Sequence, residues 1–268
     1  MIPNILSIAG SDPSGGAGIQ ADIKAISANG GYAMAAITGL TVQNTRGVAR
    51  VSLTAPDLVR DQIAAIRADI HIDTVKIGML GDAAIIEAVA EALTGVTAPI
   101  VLDPVMVAKG GDRLLEAAAM AALRDRLLPM AAVITPNLPE AADLLGQPEA
   151  RDRAEMQAQA AALLSLGPKA VLLKGGHLSG GESPDLLLQA GDSAWLEGTR
   201  IASGNTHGTG CTLSSALATL IASGFDVEEA ARRAKTYVTG AIAGANQLRV
   251  GTGHGPTHHF HALWHAPD

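Results

Sequence analysis

Asn4-Ile-Leu-Ser-Ile-Ala-Gly-Ser-Asp-Pro-Ser-Gly-Gly-Ala-Gly18 begins as a short apolar run and turns into a glycine-rich loop, and residues 17–29 then carry a helical pattern. Strand, glycine turn and helix in that order form the first half of a parallel β-α-β unit. The rhythm recurs along the chain. Further strand candidates lie at 33–38, 74–77, 99–102, 132–135 and 170–173, with helical patterns near 57–69, 83–93, 113–128, 138–145 and 152–166 between them. Pro56 and Asp57 make a helix start. Residues 184–201 break the rhythm with two runs around Ala190-Gly191-Asp192, which read as an antiparallel hairpin at a sheet edge. Two Ala-rich helical patterns, near 209–222 and 227–247, follow. The expected fold is α/β, one three-layer domain over 1–268 with a mostly parallel central sheet. Ligands of such sheets bind beyond the carboxyl ends of the strands. That rule directs attention to the loops 10–18, 39–47, 78–81, 103–111, 136–140, 174–181 and 204–211.

The composition agrees. Of 268 residues, 48% are hydrophobic and 17% charged, which suits parallel strands buried on both faces; with aromatics at 2%, the core must be aliphatic. A formal net charge of −7 and the lack of a Lys/Arg run argue against nucleic acid as a partner. No apolar stretch reaches the roughly 20 residues of a membrane span, and the amino terminus has neither a basic region nor a cleavage site. No membrane partner and a cytoplasmic location are therefore expected. A single cysteine, Cys211, rules out an internal disulfide.

The strongest local signal is Gly204-Asn-Thr-His-Gly-Thr-Gly-Cys211, directly before a helical pattern. Its glycines let backbone N–H groups turn toward one point, and the helix amino terminus adds a positive dipole end. That is an anion site, or else a glycine-rich helix entry without a ligand. Asn137 and Glu140 are spaced to present an amide oxygen and a carboxylate on one turn, suited to magnesium or equally to a helix cap. Lys174, at a strand end, could reach a phosphoryl group or simply be solvated. Gly16-x-Gly18-x-x-Ala21 formally matches a dinucleotide fingerprint, yet no carboxylate stands where that fingerprint needs one, after the second strand. A structural turn and a substrate loop are its other readings. The tail 253–265 holds five of the eight histidines, but no cysteine or carboxylate completes a zinc set.

Seven motifs together are more specific: Ala9-Gly-Ser-Asp-Pro-Ser-Gly-Gly-Ala-Gly-Ile-Gln-Ala-Asp22, Thr41-Val-Gln-Asn-Thr45, Lys76-Ile-Gly-Met-Leu80, Leu102-Asp-Pro-Val105, Ile134-Thr-Pro-Asn-Leu-Pro-Glu-Ala141, Leu173-Lys-Gly-Gly-His177 and Asn205-Thr-His-Gly-Thr-Gly-Cys-Thr212. In kind and order the chain resembles the hydroxymethylpyrimidine/phosphomethylpyrimidine kinases of the ribokinase-like class. The resemblance implies a ribokinase-like α/β/α sandwich and ATP- and magnesium-dependent phosphorylation of 4-amino-5-hydroxymethyl-2-methylpyrimidine, then of its monophosphate, in thiamine biosynthesis. It further implies a homodimer. By the same resemblance Gln43, Asp22, Gly10, Met79 and Val105 would hold the pyrimidine, and Asn137, Lys174, Thr206, Gly208 and Thr209 the nucleotide. Asp103, Asn137 and Glu140 would serve magnesium, and Cys211, Gly208, Gly210 and Lys174 catalysis. Cys211 stands where ribokinase relatives usually carry an aspartate base, and a helix amino terminus is expected to lower its pKa; a small buried thiol is the other reading. Pyridoxal kinase, with the same fold, is the nearest rival function. A non-catalytic nucleotide-binding protein and a dinucleotide-dependent oxidoreductase are the rivals of other classes, and a Cys211–His207 hydrolase lacks an orienting group.

Overall fold

Along the first strand, Asn4–Ser11 (β1), Ile5 faces one apolar core while Leu6 and Ile8 face another. The same alternation sends Val101 one way and Ile100 and Leu102 the other in Ile100–Leu102 (β5). Ala170 and Leu172 likewise oppose Val171 and Leu173 in Ala170–Lys174 (β7). Side chains of a strand alternate between faces, so a sheet apolar on both must be covered on both. Fully burying each such aliphatic residue stabilises by roughly 1.5–3 kcal/mol. Aliphatic layers alone thus hold a chain with almost no aromatic core.

The computed structural model describes residues 1–106 and 117–264. The remaining elements are Gly18–Ala28 (α1), Tyr32–Asn44 (β2), Gly47–Leu53 (β3), Pro56–Asp69 (α2), Thr74–Ile77 (β4), Ala83–Ala92 (α3), Ala117–Ala122 (α4), Val133–Ile134 (β6), Leu138–Leu145 (α5), Arg153–Leu164 (α6), Asp185–Gln189 (β8), Asp192–Leu196 (β9), Thr209–Ala222 (α7) and Val227–Ala243 (α8). Helices α2 to α6 pack over one face and α1, α7 and α8 over the other. Three layers result, as expected.

Among the described residues the sheet has nine strands in the order β3-β2-β1-β4-β5-β6-β7-β8-β9. The six from β2 to β7 in that order are parallel, and β3 at one edge and the β8-β9 hairpin at the other are antiparallel. The hairpin expected in 184–201 is therefore present, turning at Gly191 with a φ of +85°. The loop expected at 39–47 is not a loop: β2 continues to Asn44 and pairs with β3. Val51 and Leu53 of β3 are exposed, so no inward-facing period marks it in the sequence. The helix expected over 113–128 begins outside the described residues; after α4 it continues as a π turn, Leu123–Leu127, and a 3₁₀ turn, Leu128–Met130. Residues 107–111 of the loop 103–111 and His265 of the tail also lie outside them.

Candidate active site

Chain direction switches at β1: β2 lies on one side of it and β4 on the other. Loops from the two halves diverge there and leave a crevice. A cleft of about 1010 Å³ opens at that point, lined by Gly10, Met79, Asp103, Val105, Asn137, Glu140 and Lys174 and by the loop from Thr206 to Cys211. Gln43 lines it from β2. Of the expected site residues, Asp22 alone is not in its wall.

Two glycine loops make one end of the cleft. Gly208 caps α7 with a φ of +76°, and a Cβ there would collide with the Gly16 carbonyl oxygen, so both conformation and contact require glycine. Asp12 organises the first loop by accepting from Ser14 N at 2.8 Å, Ala17 N at 2.9 Å and Gly16 N at 3.2 Å. Its carboxylate also meets His207 Nε2 of the second loop at 2.8 Å. Burial pushes the Asp12 carboxyl up, but the bonds from His207 and Ser14 outweigh it and hold it below the ordinary value. Thr209 Oγ1 donates to Thr206 O at 2.7 Å and fixes the turn before the helix. The amino end of α7, with Gly208, Thr209, Gly210 and Cys211, thus opens into the cleft.

Beside it, Lys174 at the end of β7 reaches Asp103 Oδ1 at 3.0 Å and Glu140 Oε2 at 3.9 Å. Asp103 also accepts from Thr135 Oγ1 at 3.1 Å and Ser214 Oγ at 3.3 Å. Burial disfavours its charge, yet Lys174 and Lys76 keep its carboxyl below the ordinary value. Glu140 goes the other way. Burial, reinforced by Asp103, pushes it up to about 7 against the pull of Lys174. Lys174, itself raised by the two carboxylates against its burial, is no solvated strand-end lysine. Asn137 and Glu140 do form the capping box that their spacing also suggested, with Glu140 N donating to Asn137 Oδ1 at 2.9 Å and Asn137 N to Glu140 Oε2 at 2.8 Å. The cap fixes where the carboxylate points without removing it from the cleft.

Beneath the second glycine loop lies a buried cluster. Lys76 is fully buried, and its Nζ meets both carboxylate oxygens of Asp22 at 2.9 Å. Asp22 also accepts from Ser7 Oγ at 2.6 Å and Ser215 Oγ at 2.8 Å. Asp22 is therefore a support under the cleft and not a ligand in its wall, a correction to the expectation. Ser215 is one helical turn after Cys211, so the thiol stands above this pair. The Cys211 pKa also departs from expectation: burial pushes the thiol up to about 11, Asp22 and Asp103 adding to it, while Lys76 and the Gly18 N–H oppose. A helix amino terminus lowers a thiol only where burial does not outweigh it.

The sequence reading missed three features. Asp12 and His207 lay inside quoted motifs, but nothing in their spacing showed that the two loops touch. Asp185 and Lys235, both lining the cleft, pair at 2.8 Å, and Asp185 accepts from Gly175 N at 3.0 Å behind Lys174. The described part of the histidine tail packs back on the second glycine loop and α7: His207 N donates to Gly255 O at 3.0 Å, and His259 Nε2 sits 3.1 Å from Thr212 Oγ1. Among the described residues no group of three His, Cys, Asp or Glu could hold a metal ion.

The family model described as phosphomethylpyrimidine kinase matches residues 12–258. The hydroxymethylpyrimidine/phosphomethylpyrimidine kinase of Escherichia coli is 52% identical over 262 residues, 97% of this chain and 98% of that one. A solved phosphomethylpyrimidine kinase from Clostridium difficile is 41% identical with a TM-score of 0.79, covering 90% of this chain and 99% of that one. The pyridoxal kinase of Staphylococcus aureus, solved in complex with AMP-PCP, is 31% identical with a TM-score of 0.90, covering 98% and 95%. With a ribokinase-like sheet, a glycine loop at the amino end of α7 and a family match over most of its length, this chain belongs to the phosphomethylpyrimidine kinase family.

Proposed function

We propose that this protein transfers the γ-phosphoryl group of ATP to the hydroxymethyl oxygen of 4-amino-5-hydroxymethyl-2-methylpyrimidine and then phosphorylates the monophosphate, in thiamine biosynthesis. The observation that carries this is that one cleft is lined both by Gln43, Gly10, Met79 and Val105 and by Lys174 and the amino end of α7. Gln43 offers a donor and an acceptor side by side, complementary to a ring nitrogen next to an amino group. Asn137, Thr206, Gly208, Thr209 and Lys174 take the nucleotide phosphates. The hydroxymethyl oxygen bonds to the γ-phosphorus as the bond to the bridging oxygen breaks, and ADP leaves with that electron pair. Backbone N–H groups at Gly208 and Gly210, with Lys174, meet the charge on the transferring group. The hydroxyl proton goes to Cys211 where the thiol is ionised and otherwise to a phosphoryl oxygen; a loose transition state demands little of a base.

Magnesium fits the acidic side of the cleft. Burial, with the neighbouring Asp103 charge, raises the Glu140 pKa against the pull of Lys174, and a divalent cation between the two carboxylates would relieve that cost. Few direct protein ligands suit an ion that keeps waters and phosphate oxygens, with Asn137 the remaining candidate oxygen. When bound, it would neutralise phosphate charge.

Residues 1–268 are read as one kinase domain, which the single sheet supports. Exposed Leu40, Val42, Val51 and Leu53 on the β2-β3 hairpin support the homodimer. A cytoplasmic location is consistent with the lack, among the described residues, of a helix long and apolar enough to cross a membrane. ATP consumption measured separately with the hydroxymethylpyrimidine, with pyridoxal and with no acceptor tests the reading. Turnover with the pyrimidine is expected; turnover with pyridoxal alone would favour the neighbours' activity, and binding without turnover a nucleotide sensor.

A further inference from the structure

Gln43 is held at both ends of its side-chain amide, and counting hydrogens decides which end is which. His207 Nε2 lies 2.8 Å from Asp12 Oδ2. Asp12 also accepts from Ser14 Oγ at 2.7 Å and from three backbone N–H groups, so it is an ionised, acceptor-only carboxylate. Nε2 of His207 must therefore carry a hydrogen and donate it. The same nitrogen lies 3.3 Å from the Gln43 amide and, already donating, cannot accept from an NH₂ group. At the other end, Thr41 Oγ1 lies 2.9 Å from Ser11 O and 3.1 Å from the Gln43 amide. The single hydroxyl hydrogen goes to Ser11 O, which leaves Thr41 an acceptor toward Gln43. With Nε2 toward His207 and Oε1 toward Thr41, the first contact sets a donor against a donor and the second an acceptor against an acceptor. Rotating the amide by half a turn, which changes no shape, gives Thr41 an N–H to accept and places Oε1, an acceptor, beside the His207 N–H that is directed to Asp12.

We propose that Thr41 and the His207–Asp12 pair lock the Gln43 amide in one orientation, and that this lock selects heterocycles by the order of donor and acceptor on their edge. The inference rests on the proposed function, with Gln43 facing the pyrimidine. Oε1 faces His207 and Nε2 faces Thr41, so one amide hydrogen and one oxygen lone pair remain for the ligand in a fixed order. A 4-aminopyrimidine presents a ring-nitrogen acceptor beside an amino donor. Its 4-oxo analogue presents a ring N–H donor beside a carbonyl acceptor, the reverse. A free amide reads either edge by turning over; a locked one reads one. Thr41 and His207 are thus positioning residues. His207, directly before Gly208, also ties the substrate reader to the anion loop. Sequence gave no sign of the lock, because its members are on β2 and on two loops nearly 200 residues apart.

The test compares 4-amino-5-hydroxymethyl-2-methylpyrimidine as substrate with its 4-oxo analogue as competing inhibitor, in the parent, Thr41→Val and His207→Asn. Thr41→Val is the milder change, since valine suits a strand and keeps the shape. Each variant is expected to narrow the amino-over-oxo preference by about tenfold, the effect of losing one anchoring hydrogen bond. Overall turnover alone would not reveal this, because any structural damage lowers it. An unchanged preference in an active Thr41→Val overturns the lock while leaving the proposed function standing. A parent inactive on the aminopyrimidine overturns the proposed function, and the lock with it.

Discussion

Lys174 Nζ lies 3.0 Å from Asp103 Oδ1, and a second carboxylate, Glu140, comes within 3.9 Å of the same ammonium. Structure and catalysis are mixed in that contact, and they can be separated. Lys174→Met strands buried negative charge and should cost about 3–5 kcal/mol of stability as well as turnover. Lys174→Met/Asp103→Leu removes the pair together and should recover much of the melting temperature, read by thermal unfolding, while turnover stays lost. Recovery of turnover in the double variant would make the pair purely structural.

Glu140 titrates near 7, so its magnesium role should depend on pH within the neutral range. The carboxyl is charged above that value and protonated below it, and a proton competes with a cation. The magnesium concentration for half-maximal rate should rise as pH falls below about 7, by up to about tenfold per unit. Glu140→Gln should need more magnesium at pH 8 and show little further change on acidification. An equal pH dependence in both proteins would assign Glu140 to the helix cap alone.

A thiol pushed up to about 11 is almost wholly protonated at pH 7. If Cys211 takes the hydroxyl proton as thiolate, kcat/KM should climb through pH 9 to 10 instead of levelling near the free-thiol value of about 8.5. Cys211→Ser should abolish the climb, yet at pH 7 lose no more than about tenfold. Alkylation of Cys211 by iodoacetamide should follow the same titration. A profile level by pH 8 with fast alkylation would contradict the raised value.

His259 is buried and pushed down to about 3, first by burial and then by Lys24 and His258. Its folded pKa lies below the unfolded value of about 6.5, so the unfolded chain takes up a proton that the folded one refuses. Stability is retained above pH 6.5 and lost as pH falls toward 3, at up to about 1.4 kcal/mol per unit. His259→Gln should flatten the fall in melting temperature between pH 6.5 and 5. Metal chelation should leave that temperature unchanged, since His259 meets Thr212 and no metal cluster is present among the described residues.

The parallel core was legible because β1, β4, β5 and β7 are short aliphatic runs separated by helical periods, and a sheet buried on both faces leaves that mark. Strand β3 was not, because its Arg50, Val51, Ser52 and Leu53 are all exposed and carry no inward period. The glycine loops and Lys174 were legible as chemistry at strand ends. Their partners were not, because Asp12–His207 and Asp185–Lys235 join residues far apart in the chain. Lys76 did leave a sign: a lysine inside Thr74-Val-Lys-Ile77, an apolar run, requires a buried partner. That partner, Asp22, was read as a substrate ligand, since a charge on an amphipathic helix does not show which face it takes. The Cys211 error came from weighing the helix end and not the burial.

Phosphoryl transfer to an aminopyrimidine can be followed by phosphorus NMR of one reaction mixture holding ATP, magnesium, 4-amino-5-hydroxymethyl-2-methylpyrimidine and pyridoxal at equal concentrations. The pyrimidine monophosphate should appear first, the diphosphate should follow at its expense, and pyridoxal phosphate should stay a minor product. Pyridoxal phosphate as the main product, or ADP and inorganic phosphate with no phosphorylated acceptor, would contradict the proposed transfer.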